Sequence, residues 1–385
     1  MRVVLLANTD WYLYNFRLPL AEALRRQGHA VVLISPPGTY GPRLQARGFD
    51  WHAFDFARRG INPLAELVTL LRLYRLYRRL APDLCHHFTV KCVLYGGIVG
   101  RMQRVPTIAA VTGLGHVFTT ESPTTRWLRP LLGMAYRLAL KGAHVIFQNE
   151  DDRVALAAGG MLRRSHVHLI PGSGVDVGRF APPPQPPEAG TVVMIGRLLQ
   201  EKGVEEFVQA AGIVRALLPG IRFVLIGDAD PGNPSSIDPA RLRQWREQSQ
   251  VHIVGHVDDV RPYLHDAWLA VLPSYREGLP RSLVEAAACG LPLVAADVPG
   301  SRDICRHGDN GLLVPPRDAA ALADAVLALL RDPVRRAAMG QRSREIAVAE
   351  YAQERVIGAT LAVYRQAADI DAVAPVRAVA DKMRP

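Results

Sequence analysis

At 385 residues, 49% of them apolar, the chain is long enough for two globular domains with sizeable cores, which excludes a small stapled module. Its 4 cysteines, Cys85, Cys92, Cys289 and Cys305, form neither a close metal-type pair nor a disulfide framework, so a reducing cytoplasm is expected. Residues 1–170 hold 22 Lys and Arg against 10 Asp and Glu, the remainder 24 against 26, so the formal +10 lies in the first half. That asymmetry reads as an anionic partner for the first half or as an arginine-rich solubility bias. No helix-turn-helix, zinc-finger or RNA-recognition signature accompanies it, so nucleic acid is not the expected partner. The opening run Met1–Ala7 is too short for a signal peptide, and no apolar run approaches the roughly 18 residues that span a bilayer.

Short β-branched runs predict strands at Val3–Ala7, Ala30–Ser35, Asp83–His87, Thr107–Val111 and His144–Gln148. Between them, helical periodicity covers Phe16–Gln27 (ended by Gly28), Pro63–Leu80, Val90–Met102 and Thr125–Lys141. The proline-rich segment Ala181–Pro187 continues neither a helix nor a central strand and marks a connection. The pattern then restarts, with strands at Thr191–Ile195, Arg222–Ile226, Val251–Val254, Leu269–Leu272, Leu293–Ala296 and Gly311–Val314. Helices Ala319–Leu330, Pro333–Val348 and Gln353–Ala367 close the chain. Strand–helix alternation of this kind predicts two doubly wound α/β domains with ligands beyond the carboxyl ends of the strands. The expected divisions are 1–172, 173–352, a terminal helix over 353–370 and a disordered tail over 371–385.

The most informative motif is Ser274-Tyr275-Arg276-Glu277-Gly278-Leu279-Pro280-Arg281-Ser282-Leu283-Val284-Glu285, a strand end, a Gly/Pro loop and a helix start. Amides at Gly278, Leu279 and the neighbours of Pro280 lie by a helix N-terminus that attracts anions and hydroxyls. Carboxylates suit vicinal hydroxyls because each oxygen accepts without donating, which casts Glu277 and Glu285 as ligand-binding groups. Glu285 leads into the apolar helix end Ala286–Gly290, where an unpaired charge is costly. The second motif, Gly196-Arg197-Leu198-Leu199-Gln200-Glu201-Lys202-Gly203, puts two cations in a strand-to-helix loop, a pattern suited to a diphosphate. Gly174, in Pro171-Gly172-Ser173-Gly174-Val175-Asp176, reads either as backbone approaching a phosphate or as a plain turn. His256, in Gly255-His256-Val257-Asp258, follows a strand and reads as a base-ring contact or as a structural residue.

In the order Ile170-Pro171…Gly174-Val175-Asp176, Gly196-Arg197…Lys202-Gly203, Pro273-Ser274…Glu277-Gly278…Glu285-Ala286, the chain resembles retaining glycosyltransferase family 4. The resemblance implies a GT-B fold, two Rossmann-like doubly wound domains facing a central cleft, with a C-terminal helix crossing back to the first. It implies a nucleotide-sugar donor, UDP-linked in expectation, as substrate, with no metal and no cofactor. Arg197 and Lys202 would hold the donor diphosphate, Glu277, Gly278, Leu279 and Pro280 the sugar, and Glu285 the ribose. Gly174 and His256 complete the expected donor contacts.

Phe16-Arg17-Leu18-Pro19-Leu20, Thr112-Gly113-Leu114-Gly115-His116 and Phe147-Gln148-Asn149-Glu150-Asp151 are similar to a subgroup acting on undecaprenyl-diphosphate-linked sugars, which includes N-acetylgalactosaminyltransferases of bacterial glycan assembly. The similarity implies a polyprenyl-diphosphate-linked saccharide acceptor, with Arg17, Lys91, Gly113 and Gly115 in its binding site and His116 near the chemistry. The first loop, Asn8–Arg17, departs from the Gly-rich loop of many family members. Arg72, Arg75, Arg78 and Arg79 recur at helical spacing among leucines and tyrosines, so that helix is either an ordinary amphipathic one or a contact with an anionic bilayer. Arg72 and Arg75 belong to the acceptor side in that second reading, and the protein would work peripherally at the inner face of the cytoplasmic membrane. Two other readings stay open: a nucleotide-sugar 2-epimerase on the same fold, which turns over its substrate without an acceptor, and a non-catalytic lipid- or partner-binding protein.

Overall fold

A computed structural model describes residues 1–56, 63–113, 123–185, 187–188, 190–230, 232–248 and 251–372. They form two compact units, one of residues 1–170 with the chain from 357 onward, the other of residues 171–356.

The first unit holds seven strands: β1 Arg2–Leu6, β2 Ala30–Ser35, β3 Asp50–Ala53, β4 Leu84–Phe88, β5 Thr107–Val111, β6 His144–Phe147 and β7 His166–Leu169. All pair in parallel, in the order β3-β2-β1-β4-β5-β6-β7. Central strands such as Val3-Val4-Leu5-Leu6 are apolar at every position because helices cover both faces. Every residue of β4 is buried as well, including His86 and His87. The two strands not anticipated from sequence, β3 and β7, are the sheet edges. They interleave polar and apolar residues, are partly exposed, and lack the continuous apolar run that marks a central strand.

The second unit repeats the scheme with β8 Thr191–Ile195, β9 Arg222–Ile226, β10 His252–Gly255, β11 Leu269–Leu272, β12 Leu293–Ala296 and β13 Gly311–Val314. Their order is β10-β9-β8-β11-β12-β13, again parallel. In each sheet the chain leaves two adjacent central strands toward opposite edges, which creates a crevice at their carboxyl ends: β1/β4 in the first unit, β8/β11 in the second.

The helix expected over 16–27 begins differently: Leu13–Arg17 is a π-helical turn, followed by an α-helix over Leu18–Arg26. The helix Gln353–Ala372 starts in the second unit and from Ile357 belongs to the first. Tyr364 in it hydrogen-bonds through its hydroxyl to Nδ1 of His86 at 2.7 Å. Residues 371–372 of the expected tail close this helix, and the remainder lies outside the described residues.

His87 Nε2 shares a hydrogen bond with the Tyr77 hydroxyl at 3.0 Å, and its Nδ1 has no partner among the described residues. Burial pushes its pKa down to about 3. The unfolded chain therefore takes up a proton that the folded one refuses between about pH 6.5 and pH 3, so stability is complete above that window and falls as pH falls through it. The loss from this one residue is on the order of a few kcal/mol. In urea titrations from pH 7.5 to pH 4, His87→Asn should show a shallower decline of unfolding free energy than the parent; an identical decline would refute the assignment.

Candidate functional site

Two of the residues singled out in the second half, Lys202 and Glu277, meet where β8 and β11 end. After β8 the chain runs through Gly196–Leu199 and a single 3-10 turn, Gln200–Lys202, into the helix Val204–Leu217. Gly203 joins turn to helix with φ of 72°, and a side chain there would place Cβ 2.2 Å from the Pro273 carbonyl oxygen. Glycine is required both by the left-handed backbone and by that approach. The approach zips two loops together: the Tyr275 amide donates to the Glu201 carbonyl at 2.8 Å, and the Tyr275 hydroxyl donates to Glu206 at 2.7 Å.

Along this seam Lys202 Nζ meets Glu277 Oε1 at 2.5 Å, with side chains 19% and 10% exposed. The buried Ser274 hydroxyl lies 2.6 Å from the same carboxylate oxygen and 3.0 Å from the Glu201 carbonyl. The Glu277 amide donates to the Pro299 carbonyl at 3.3 Å. A Cβ on Gly300, whose φ is 76°, would stand 2.7 Å from the Glu277 carbonyl, so the loop after β12 closes on the same segment. The helix Arg281–Ala288 then begins with no side-chain cap, Pro280 standing at its N-cap position. Leu279 is partly buried against the core.

The other two expected groups have partners of their own. Arg197 reaches Asp230 at 3.3 Å with 62% of its side chain exposed. Glu285 pairs with Arg281 one turn away at 2.7 Å and is 13% exposed. Glu285 is therefore not an unpaired charge at the apolar helix end: Arg281 supplies its counter-ion. Burial raises the Glu285 pKa and Arg281 opposes the rise. Ser274, Asp230 and Arg281 were assigned no role from sequence; a Ser three residues before the key Glu and an Arg four before its companion are the signals that mark two of them.

His256 is exposed, its amide donating to Asp228 at 3.1 Å and its ring facing Asp258. Gly174, with φ of 70°, packs against the backbone of Gln353, where Val175 and Ala352 form a parallel bridge. Its requirement for glycine is thus explained by backbone packing.

In the first unit, Arg17 is only 6% exposed. Its Nη2 and Nε donate to the Tyr12 hydroxyl at 2.6 and 3.2 Å, and its guanidinium lies 4.4 Å from the Phe88 ring centre. Lys91 pairs with Glu66 at 3.0 Å, and the Tyr95 hydroxyl donates to the same carboxylate. Gly113 follows β5 with φ of 138°, whereas Gly115 and His116 lie outside the described residues. In place of a Gly-rich first loop, buried Asp10 accepts from the amides of Tyr40 and Gly41 at 2.7 and 2.9 Å. Arg72 and Arg75 are exposed on the helix Pro63–Leu80, which also exposes Leu67, Val68 and Leu71. No helix among the described residues is long and apolar enough to cross a membrane.

Two parallel Rossmann-like units of this kind constitute the GT-B fold. A solved structure of HepE from Anabaena, in complex with UDP and glucose, superposes with a TM-score of 0.78 over 95% of this chain and 99% of that one, at 20% identity. Residues 2–150 match the family model described as glycosyl transferase 4-like, and residues 189–332 match that for glycosyl transferases group 1. A glycogen synthase of Mycobacterium tuberculosis is 32% identical over 376 residues, covering 90% of this chain and 88% of the relative. The N,N'-diacetylbacillosaminyl-diphospho-undecaprenol alpha-1,3-N-acetylgalactosaminyltransferase of Campylobacter jejuni is 28% identical over 347 residues, 86% of this chain and 90% of the relative. The chain belongs to the family 4-like glycosyltransferases of the GT-B fold, and it is a glycosyltransferase.

A buried carboxylate whose pKa is raised by desolvation weighs against stability once ionised, and most at neutral pH and above. Glu285→Gln should therefore hold or raise the thermal midpoint at pH 7.5 while weakening binding of a nucleotide-sugar donor by about tenfold, the loss expected for one charge-assisted hydrogen-bonding group. Calorimetry and donor titration check both halves. A fall in midpoint with unchanged binding would make Glu285 a structural residue.

Proposed function

We propose that the enzyme moves a hexose or N-acetylhexosamine from a UDP-linked donor to a saccharide carried on undecaprenyl diphosphate, in assembly of a bacterial surface or protein glycan. The observation that carries the donor half is the seam at the ends of β8 and β11, where Lys202 and Glu277 present a cation and a carboxylate side by side. An ammonium and the exposed Arg197 guanidinium suit a diphosphate; Glu277 and the amides after it suit sugar hydroxyls. HepE, with UDP and glucose bound, and the Campylobacter relative, named for a diphospho-undecaprenol acceptor, support the choice of donor and acceptor.

In this reading the bond between the anomeric carbon and the donor's diphosphate breaks, leaving UDP. Lys202 and Arg197 stabilise the charge that develops on the diphosphate, the task a divalent cation performs elsewhere, so no metal is required. The acceptor hydroxyl oxygen bonds to the anomeric carbon on the face the diphosphate leaves, its proton departs with UDP, and the anomeric configuration is retained. Glu277 is committed to Lys202 and Ser274, which speaks for hydroxyl binding and against a covalent glycosyl intermediate on it.

UDP- and GDP-sugars, each with a short polyprenyl-diphosphate-linked saccharide and read by mass, test the proposal. A product heavier by one sugar is expected with a UDP-sugar, and unchanged yield in excess chelator. Lys202→Ala should lower kcat by roughly 10²–10³-fold, the cost of deleting one preorganised electrostatic group, with Arg197→Ala changing it in the same direction. Turnover of UDP-sugar without any acceptor would favour an epimerase instead.

The acceptor half places the enzyme at the inner face of the cytoplasmic membrane. Its support is the helix Pro63–Leu80, where exposed Leu67, Val68 and Leu71 accompany Arg72, Arg75, Arg78 and Arg79, with exposed Leu131, Met134 and Leu138 on the helix Pro123–Leu140. Flotation with vesicles rich in anionic phospholipid should recover the parent and about tenfold less of a Leu67→Gln, Val68→Gln, Leu71→Gln variant. Equal recovery would remove the membrane from the proposal.

A further inference from the structure

In the second unit, Tyr275 is held from three directions. Its amide donates to the Glu201 carbonyl at 2.8 Å and its hydroxyl to Glu206 at 2.7 Å, which ties it to the loop after β8 and to the helix Val204–Leu217. The third hold is on the ring: the guanidinium of Arg317 lies 4.5 Å from its centre. Arg317 comes from a different strand end, between β13 and the helix Ala319–Arg331. That helix packs against Val204–Leu217, which brings the residues ahead of it toward the Tyr275 ring.

Arg317 stands where local backbone chemistry favours another residue type. Its φ is 63°, in the turn Pro316–Arg317, where a Cβ crowds the backbone and glycine or asparagine is the ordinary choice. Helix capping does not call for the arginine, because Asp318 already accepts from the Ala321 amide at 2.9 Å. Its side chain is exposed, and no carboxylate among the described residues pairs with it. What it adds to the turn is a cation over an aromatic ring. An unfavourable backbone persists where surrounding contacts over-determine it, and here the contact is with the donor loop.

Tyr275 sits inside the segment that sets the key carboxylate. Ser274 precedes it and meets Glu277 Oε1 at 2.6 Å, and Glu277 is two residues further on. A ring free to swing on one face would let this short stretch of backbone shift, and the carboxylate with it.

We propose that Arg317 is a positioning residue for the donor loop: its cation clamps the Tyr275 ring and thereby keeps Glu277 in place for the sugar of the donor. The inference rests on the reading above that Glu277 meets that sugar, and it adds the loop after β13 to the donor site. Arg317 acts through Tyr275 and touches none of the reacting atoms.

Arg317→Gly separates this role from a structural one, because glycine relieves the backbone while it removes the cation. The variant should hold or raise the thermal midpoint, leave affinity for UDP alone unchanged, and raise KM for a UDP-sugar about fivefold, the loss expected for one exposed cation–π contact. Arg317→Lys keeps a cation for the ring and should fall between. In a Tyr275→Leu chain, which has no ring to clamp, Arg317→Gly should change KM no further. A lower midpoint with equal losses of UDP and UDP-sugar binding would show a structural residue and overturn the proposal. An unchanged KM, or an undiminished effect in the Tyr275→Leu chain, would overturn it as well. Hydrogen exchange gives a readout without turnover. The amides of Tyr275 and Glu277, both hydrogen-bonded in the parent, should exchange about fivefold faster in Arg317→Gly. Exchange at the parent's rate overturns the clamp. If the parent turns over no UDP-sugar, faster exchange in the variant leaves the clamp standing and overturns the reading of the donor instead.

Discussion

The second unit depends on one contact, the ion pair of Lys202 with Glu277. Its members come from loops at the ends of adjacent strands, 75 residues apart in sequence. With side chains 19% and 10% exposed, neither charge is well solvated, so each needs the other until a ligand arrives. Everything around them serves to keep that distance short. Gly203 lets one backbone touch the other, Tyr275 ties the loops at both amide and hydroxyl, and Ser274 fixes the carboxylate from below. In the proposed reading, a donor diphosphate takes the place of Glu277 beside Lys202, and sugar hydroxyls take the place of Lys202 beside Glu277, so the preformed pair needs little reorganisation.

The first unit solves a different electrostatic problem with the same sheet architecture. Its β4 carries two histidines held neutral by burial, and beside them a guanidinium stacked on an aromatic ring. Cation–π contacts of this kind are worth about 2 kcal/mol or more when desolvated, which offsets part of the cost of burying Arg17. The lysine of the following helix already has Glu66 as its counter-ion, so Arg17 and Lys91, though both basic and both near strand ends, are electrostatically unlike.

Most of this was legible in the sequence where the physics is local. Apolar runs gave the central strands, β4 being read as one despite His86 and His87, and the order of Arg197, Lys202, Glu277 and Glu285 pointed to the strand ends of the second unit, because a strand-to-helix loop begins where the strand ends. The edge strands Asp50–Ala53 and His166–Leu169 were not legible, since half-exposed strands carry too little hydrophobic signal. Side-chain partnership was not legible either. Spacing shows that Glu285 faces an apolar stretch, but that Arg281 answers it follows only from the turn of the helix; likewise nothing in Asn15-Phe16-Arg17 announces that the arginine is inside. Tertiary packing settles such questions, and it is set by residues far away in the chain.

The hydroxyl of Tyr364 illustrates how far. It meets His86 across 278 positions, from a helix that the second unit begins and the first unit finishes. His86 gains this partner only after the second unit has been translated, so consolidation of the first sheet waits on a segment that lies beyond the other unit in the chain.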